Sequence, residues 1–137
     1  MNPLLGTHLA FKRNVVKGLS DLGLKASQPK ILYHIYSHEG CSQKDVSENC
    51  FIDTATLSTV LANLEQKQLI TRVPDEDDKR AYKIYATEEG RKVMEAVDIQ
   101  VEKSQQIALN GFSSEEIAQF TAYLERAFKN LNESNLE

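Results

Sequence analysis

Apolar residues recur every three or four positions through most of the chain, which is the spacing of one face of an α-helix. The first such stretch covers residues 4–22, and Gly23 is expected to end it. Further helices are predicted at 27–39, 41–50 and 53–70, then from Thr87 to about Asn110 and from Ser113 onward. The positions expected to face inward are Leu5, Leu9, Val16, Leu19, Ile31, Leu32, Ile35, Leu57, Val60, Leu61, Leu64, Val93, Val97, Val101, Ala108, Ile117, Phe120, Leu124, Phe128 and Leu131.

Capping residues support several of these helix boundaries. Ser27 is placed to cap the second helix, with Pro29 in its first turn. A serine followed three residues later by an acid, which forms a capping box, occurs before the third helix and again before the last. These pairs are Ser42 with Asp45 and Ser113 with Glu116.

One stretch departs from the helical spacing. Residues 69–73 and 81–87 are rich in β-branched and aromatic side chains, which predicts two strands of a hairpin. The turn between them holds four carboxylates and then a pair of basic residues: Asp75, Glu76, Asp77, Asp78, Lys79 and Arg80. A hairpin with an acidic turn followed by Lys-Arg suggests a role beyond connecting two helices.

Two short helices joined by a tight turn and followed by a hairpin are the order of a winged helix-turn-helix. The sequence therefore predicts a mainly α fold with a small β-hairpin wing, in a single chain of residues 1–137. Residues 27–87 would form the DNA-binding lobe, and residues 1–26 and 88–137 a helical dimerisation platform. A homodimer is expected because one small lobe cannot cover the apolar faces of all three flanking helices.

In a winged helix-turn-helix, the second helix of the pair enters the major groove of double-stranded DNA. Its outward positions here carry hydroxyl and amide groups, which can donate to and accept from base edges. The candidate recognition-helix residues are Thr54, Thr56, Ser58, Thr59 and Asn63. A solvated helix face could carry the same residues, and the hairpin that follows favours the groove interpretation.

Composition narrows the classes of function. The chain has 137 residues, which is the size of one domain, with 41% hydrophobic and 26% charged residues. It has no apolar run long enough to span a membrane and no signal-peptide layout at the N-terminus, so a cytoplasmic protein with no membrane partner is expected. The net charge is −4, and ten acids stand against five bases after residue 87. If the protein binds DNA, this acidic third should point away from it.

Two segments then resemble the MarR family of bacterial transcription regulators. They are "TATLSTVLANLEQKQLITR" and "DEDDKRAYKIYATEEG", and "SQPKIL" upstream matches the usual start of the family's second helix. The resemblance implies that Arg80 reaches the minor groove or its phosphates, while Asp78 helps to hold the wing in place. It also implies a helical dimer and a crevice for a small-molecule effector. Candidates for that crevice are His8, Phe11, Lys12, Tyr33 and Tyr36.

The chain departs from the family pattern in its recognition helix. No basic residue occurs between Asp53 and Gln66, where many relatives carry an arginine near the place of Thr59. Phosphate contacts are therefore expected from the wing and from the two helices that precede the recognition helix. The affinity for DNA is expected to be modest. The candidates are Lys79, Arg80 and Lys83 in the wing, and Lys30, Ser42 and Lys44 outside it. A winged helix that binds a protein partner, with little or no DNA binding, is the alternative.

Two further alternatives concern chemistry. Cys41 precedes the third helix, and a helix N-terminus lowers a thiol pKa, so a redox sensor of the same fold stays open. Cys50 is interpreted as buried packing. His34 and His38 have i, i+4 spacing but lack an acidic partner, and catalytic motifs are absent from the sequence. We therefore expect no enzyme, metal or cofactor, and a repressor of transcription is the predicted function.

Overall fold

The computed structural model describes residues 1–25 and 27–134, and its elements are mainly helical. The two strands form one antiparallel hairpin. The mainly α fold with a hairpin wing is thereby confirmed. The elements are α1 (Pro3–Gly18), a 3-10 helix (Ser20–Leu22), α2 (Gln28–Ser37), α3 (Gln43–Cys50), α4 (Thr54–Gln66), β1 (Ile70–Pro74), β2 (Tyr82–Ala86), α5 (Glu88–Ala108) and α6 (Ser114–Ser134).

The N-terminal boundary of α3 is the predicted capping box. The Ser42 hydroxyl accepts from the Asp45 backbone N–H at 3.1 Å, and the Ser42 N–H donates to the Asp45 carboxylate at 3.0 Å. Ser113 and Glu116 make the same reciprocal bonds before α6. Ser27 occupies the predicted N-cap position of α2, with Pro29 in the first turn, but its side chain makes no capping bond.

The first helix ends earlier than the periodicity indicated. It stops at Gly18, and a separate 3-10 turn then leads to Gly23, whose φ of 65° lies in the left-handed region that glycine adopts without strain. The predicted Thr87 start of α5 shifts by one residue. The Thr87 hydroxyl accepts from the Gly90 N–H at 3.0 Å and therefore acts as a cap before the helix.

The hairpin is joined to the helices by an extra backbone bridge. The strand register pairs Ile70 with Ala86 and Pro74 with Tyr82. Cys41, just before α3, forms an isolated antiparallel bridge with Ile84, and the Ile84 N–H donates to the Cys41 carbonyl at 2.9 Å. The base of the wing is therefore fixed to the start of α3.

The core lies between the helices of the winged lobe and the hairpin. Leu57, Leu61 and Leu64 of α4 are fully buried, whereas Val60 is only partly buried against them. Removing this apolar surface from water stabilises the fold, at about 25 cal/mol per Å². The other fully buried apolar residues of this core include Ile31, Leu32, Ile35, Val46, Ile84 and Met94.

The chain divides into two compact units, Met1–Ser104 and Gln105–Glu137. The described part of the second unit consists of the end of α5 and the whole of α6, and α6 has no buried residue. Among the described residues, we find no helix with the combined length and apolar character that crossing a bilayer requires. The division into a lobe at 27–87 and helical flanks stays a prediction.

Candidate nucleic-acid interface

The N-terminal half of α4 presents the predicted row of hydroxyl groups to solvent. Thr54, Thr56, Ser58 and Thr59 are all exposed. The Ser58 hydroxyl donates to the Thr54 carbonyl at 2.9 Å and accepts from the Gln43 side chain at 2.8 Å. Each hydroxyl oxygen has two lone pairs, so Thr56 and Thr59 keep acceptor capacity for an outside donor.

A carboxylate occupies the N-terminus of α4. The Asp53 side chain accepts from the Thr56 backbone N–H at 2.8 Å and from the Thr56 hydroxyl at 2.7 Å. The first of these bonds is the main reason that the pKa of Asp53 lies below its usual value. The carboxylate repels phosphate at this helix end, so phosphate contacts are expected from elsewhere.

Asn63 does not share the exposed face, which corrects the sequence prediction. It is half-buried, and its Oδ1 accepts from Nε2 of the buried Gln28 at 2.7 Å. Residues on both sides of the α1–α2 connection lie against the C-terminal half of α4. Gln28 bonds Asn63 there, and the Lys67 ammonium donates to the Gly23 carbonyl at 2.7 Å. In the sequence, Gln28 is recognisable only as part of "SQPKIL", and no pattern there indicates its bond to Asn63.

The wing turn is ordered by aspartate side chains bonded to backbone amides. Oδ1 of Asp75 accepts from the N–H groups of Asp77 at 2.8 Å and Asp78 at 3.3 Å. The Asp77 bond is the main cause of the lowered pKa of Asp75. Asp78 in turn accepts from the Arg80 backbone N–H at 3.0 Å. Asp78 thus orders the backbone at Arg80, and the exposed Lys79 and Arg80 side chains project from that ordered turn.

Two contacts that the sequence did not predict connect the wing to neighbouring helices. The Arg72 guanidinium donates to the Glu65 carboxylate of α4 at 2.6 and 3.2 Å, which lowers the pKa of Glu65. Arg72 also lies 5.8 Å from the centre of the Tyr82 ring. On the other strand, Glu39 accepts from the Ala86 N–H at 3.1 Å and from Arg91 of α5 at 3.1 Å. No local periodicity could have identified these pairs.

The remaining phosphate candidates differ in availability. Lys44 is 82% exposed and lies 3.9 Å from Glu48, a weak contact that leaves its ammonium free to bind elsewhere. Ser42 is partly exposed at the capped start of α3, and Lys83 is partly exposed on β2. The Lys30 ammonium instead donates to the Cys50 carbonyl at the C-terminus of α3, at 2.8 Å. Lys30 thereby stabilises a helix end, and its contact with phosphate stays a prediction.

The lowered thiol pKa that a helix N-terminus suggested for Cys41 is not found. Cys41 is buried, and burial together with the nearby Asp45 carboxylate raises the pKa of its thiol to about 11. These effects outweigh the helix N-terminus because the thiolate would be formed away from water and next to a negative charge. Burial also raises the pKa of Cys50, whose interpretation as a packed residue is confirmed.

Four of the five crevice candidates line one cavity of about 490 Å³ in the first unit. His8, Phe11 and Lys12 come from α1 and Tyr33 from α2, but Tyr36, one turn further along α2, lies outside this lining. The cavity combines apolar walls with cationic side chains. Its other lining residues are Val15, Val16, Pro29, Lys30, Val97, Asp98 and Val101.

The fold and this surface define a winged helix-turn-helix protein, and comparisons with known proteins identify its family. A model described as "MarR family" matches residues 22–81. The chain is 35% identical over 111 residues to the uncharacterized HTH-type transcriptional regulator YybA of Bacillus subtilis, covering 81% of this chain and 74% of that protein. It is 31% identical over 118 residues to the organic hydroperoxide resistance transcriptional regulator of the same species, covering 85% and 78% respectively.

Solved structures of transcriptional regulators have the same fold. The transcriptional regulator SlyA superposes with a TM-score of 0.86 at 29% identity, covering 96% of this chain and 92% of that one. A MarR-family regulator of Listeria monocytogenes, solved with a 26mer DNA, superposes with a TM-score of 0.84 at 25% identity, covering 93% and 85%. The chain belongs to the MarR family of transcriptional regulators. These relatives are regulators and not enzymes.

Proposed function

We propose that the protein is a cytoplasmic transcriptional repressor that binds double-stranded DNA as a homodimer and responds to a small molecule. The observation that carries the proposal is the exposed hydroxyl row of α4 next to an ordered wing turn that projects Lys79 and Arg80. A relative of the same fold that was solved with a 26mer DNA supports DNA binding. A dimer lying across a promoter would repress by excluding the polymerase.

The wing supplies most of the positive charge in this proposal. Since α4 carries no basic residue and Asp53 holds its N-terminus, Arg80, Lys79, Lys83 and Lys44 must neutralise phosphates. Few such contacts predict a modest salt dependence, because each neutralised phosphate contributes about −0.9 to the slope of log K against log salt. The hydroxyls of Thr54, Thr56, Ser58 and Thr59 would then contact base edges, and the threonine methyl groups could pack on thymine methyls.

The test is selection of bound fragments from random duplex DNA, compared for wild type, Arg80→Ala and the matched control Arg126→Ala on α6. Wild type and the control should enrich a near-palindrome with half-sites about one helical turn apart. Arg80→Ala should bind it more weakly, with a salt slope smaller by about 0.9. If wild type enriches no sequence even at low salt, the alternative gains: a winged helix that binds proteins.

Exposed apolar side chains on two helices support the homodimer. Phe128 and Leu131 of α6 are each 61% exposed, and Leu4 and Leu5 of α1 are more than half exposed. Apolar surface of this kind is typically covered by a second subunit. An isologous contact between two copies would also supply the two-fold symmetry that a near-palindromic operator requires.

The cavity supports an effector that is small, partly apolar and anionic. Phe11 and the valines provide apolar contact, while Lys12, Lys30 and His8 outnumber Asp98 in charged or ionisable groups. Calorimetry with benzoate, an aromatic carboxylate, tests this chemistry. Phe11→Ala should lose the binding heat, Tyr36→Ala outside the lining should keep it, and benzoate should weaken operator binding. Equal heats for wild type and Phe11→Ala would remove the cavity from the proposal.

A further inference from the structure

Gln28, the first residue of α2, is a polar side chain that is only 2% exposed. Burying an amide is unfavourable unless its polar atoms are bonded. Here both ends are: Nε2 donates to Oδ1 of Asn63 at 2.7 Å, and Oε1 accepts from the Lys25 backbone N–H at 2.9 Å. The side chain therefore joins the segment before α2 to a residue 35 positions later in α4.

A third side chain closes the same contact from outside. Lys67, the residue that caps the end of α4, donates to the Gly23 carbonyl at 2.7 Å and reaches Oε1 of Gln28 at 3.4 Å. Directional bonds from Asn63 and Lys67 thus join the C-terminal half of α4 to Gly23 and Gln28. We name Gln28, Asn63 and Lys67 the amide clamp.

Directional bonds matter here because they define the rotation of α4 about its axis, and the clamp adds to the Gln43–Ser58 and Arg72–Glu65 bonds that hold other points of the helix. Leu57, Leu61 and Leu64 pack in the core through apolar contacts, which have no preferred direction. Side chains of a helix lie about 5 to 6 Å from its axis, so a rotation of about 20° moves a hydroxyl by about 2 Å. A hydrogen bond to a base edge does not survive such a shift.

We propose that Gln28 is a positioning residue for DNA recognition: through Asn63 it sets the rotation of α4 and so the placement of its exposed hydroxyls. The inference rests on the proposed function, and it assigns Asn63 to the clamp and not to the DNA. Gln28 precedes Pro29 and Lys30, which line the cavity, so the clamp also begins at the cavity wall.

The first test is a double-mutant cycle of operator binding with Gln28→Leu, Asn63→Leu and the double variant. Each single change should weaken binding about tenfold, and the double variant should be no weaker than the singles, because both remove one interaction. The base preferences should relax to the same extent in both single variants, at the operator positions that the α4 hydroxyls contact, which loss of stability alone would not produce. Additive losses, or a relaxed preference at one base pair in Asn63→Leu only, would overturn the proposal.

Lys67→Met provides a variant at an exposed position that keeps the core intact. It should weaken binding by about two- to fivefold with an unchanged salt slope. A slope smaller by about 0.9 would instead make Lys67 a phosphate contact and would remove it from the clamp.

Hydrogen exchange tests the clamp without DNA. In Gln28→Leu the backbone amides near Asn63 should exchange about tenfold faster than in wild type, while the paired amides of β1 and β2 should not change. Unchanged exchange in α4 overturns the proposal whatever the DNA results are. If wild type selects no DNA sequence, the proposed function fails, and the exchange rates alone decide whether Gln28 positions α4.

Discussion

Gly90 lies where α5 begins against the start of the hairpin. A Cβ at this position would overlap the Leu69 backbone carbonyl. That carbonyl also accepts from the Thr87 N–H at 3.0 Å, and the Thr87 hydroxyl donates to Gln68 at 2.6 Å. The Thr-x-x-Gly pattern that closes the second strand therefore has a physical reason: its threonine bonds the first strand, and its glycine leaves room for that backbone.

Gly90→Ala should consequently lower the free energy of unfolding by about 1 to 3 kcal/mol, because neither backbone segment can move without breaking these bonds. Urea unfolding at a fixed protein concentration measures this free energy. The control is Gly6→Ala in α1, where the nearest atom to a new Cβ is the sulfur of the Met1 side chain at 3.2 Å. That variant should gain up to about 1 kcal/mol from helix propensity. Equal stability of the two variants would show that the overlap relaxes at no cost.

At Cys41 a local rule fails. A helix N-terminus lowers a thiol pKa, but burial raises the pKa of this one. With a pKa of about 11, about one thousandth of this group is thiolate at pH 8. Alkylation by iodoacetamide in the folded protein should therefore be slow and should rise with pH up to about that value. The same protein in urea should react quickly at both cysteines. Fast modification of folded Cys41 at pH 7, resolved by peptide mass spectrometry, would restore the redox alternative.

At the scale of the elements, what the sequence could predict depends on how far apart the interacting residues lie. The capping boxes at Ser42 and Ser113 were predicted because their partners lie three residues on. The order of helices and strands followed from periodicity in the same way. Asn63 was assigned to the DNA surface from helix geometry and Lys30 from its charge, but neither indicates the residue that the side chain bonds. Their partners lie 35 and 20 residues away.

Lys30 therefore connects two elements, since it lines the cavity from α2 and bonds the end of α3. Lys30→Met keeps the aliphatic stem and removes the charged donor, which should lower stability by about 1 to 2 kcal/mol. The salt slope of operator binding should not change. Lys44→Met, at an exposed position of α3, should leave stability unchanged and reduce the slope by about 0.9. The reverse pattern would return Lys30 to the phosphate contacts.

At the scale of the whole molecule, charge and apolar surface are separated along the chain. Ten acidic and five basic residues follow position 87, whereas the candidate phosphate contacts, Ser42, Lys44, Lys79, Arg80 and Lys83, all precede it. The repulsion of the acidic part by phosphates favours an orientation with the wing towards DNA. In the proposed homodimer the exposed apolar side chains of α6 contact the second subunit, so oligomeric state and DNA binding should be coupled.

Phe128→Glu tests that coupling by placing a charge among the exposed apolar side chains of α6. Wild type should sediment at twice the chain mass of 15.5 kDa, and the variant at the chain mass itself, because a carboxylate buried in the interface would have no partner. Affinity for the full near-palindrome should fall about 100-fold, since the two half-sites are then bound independently. The control is Ala122→Glu, which adds the same charge on the polar side of α6 and should leave both quantities at their wild-type values. A Phe128→Glu protein that still sediments as wild type would show that this face is not the subunit contact.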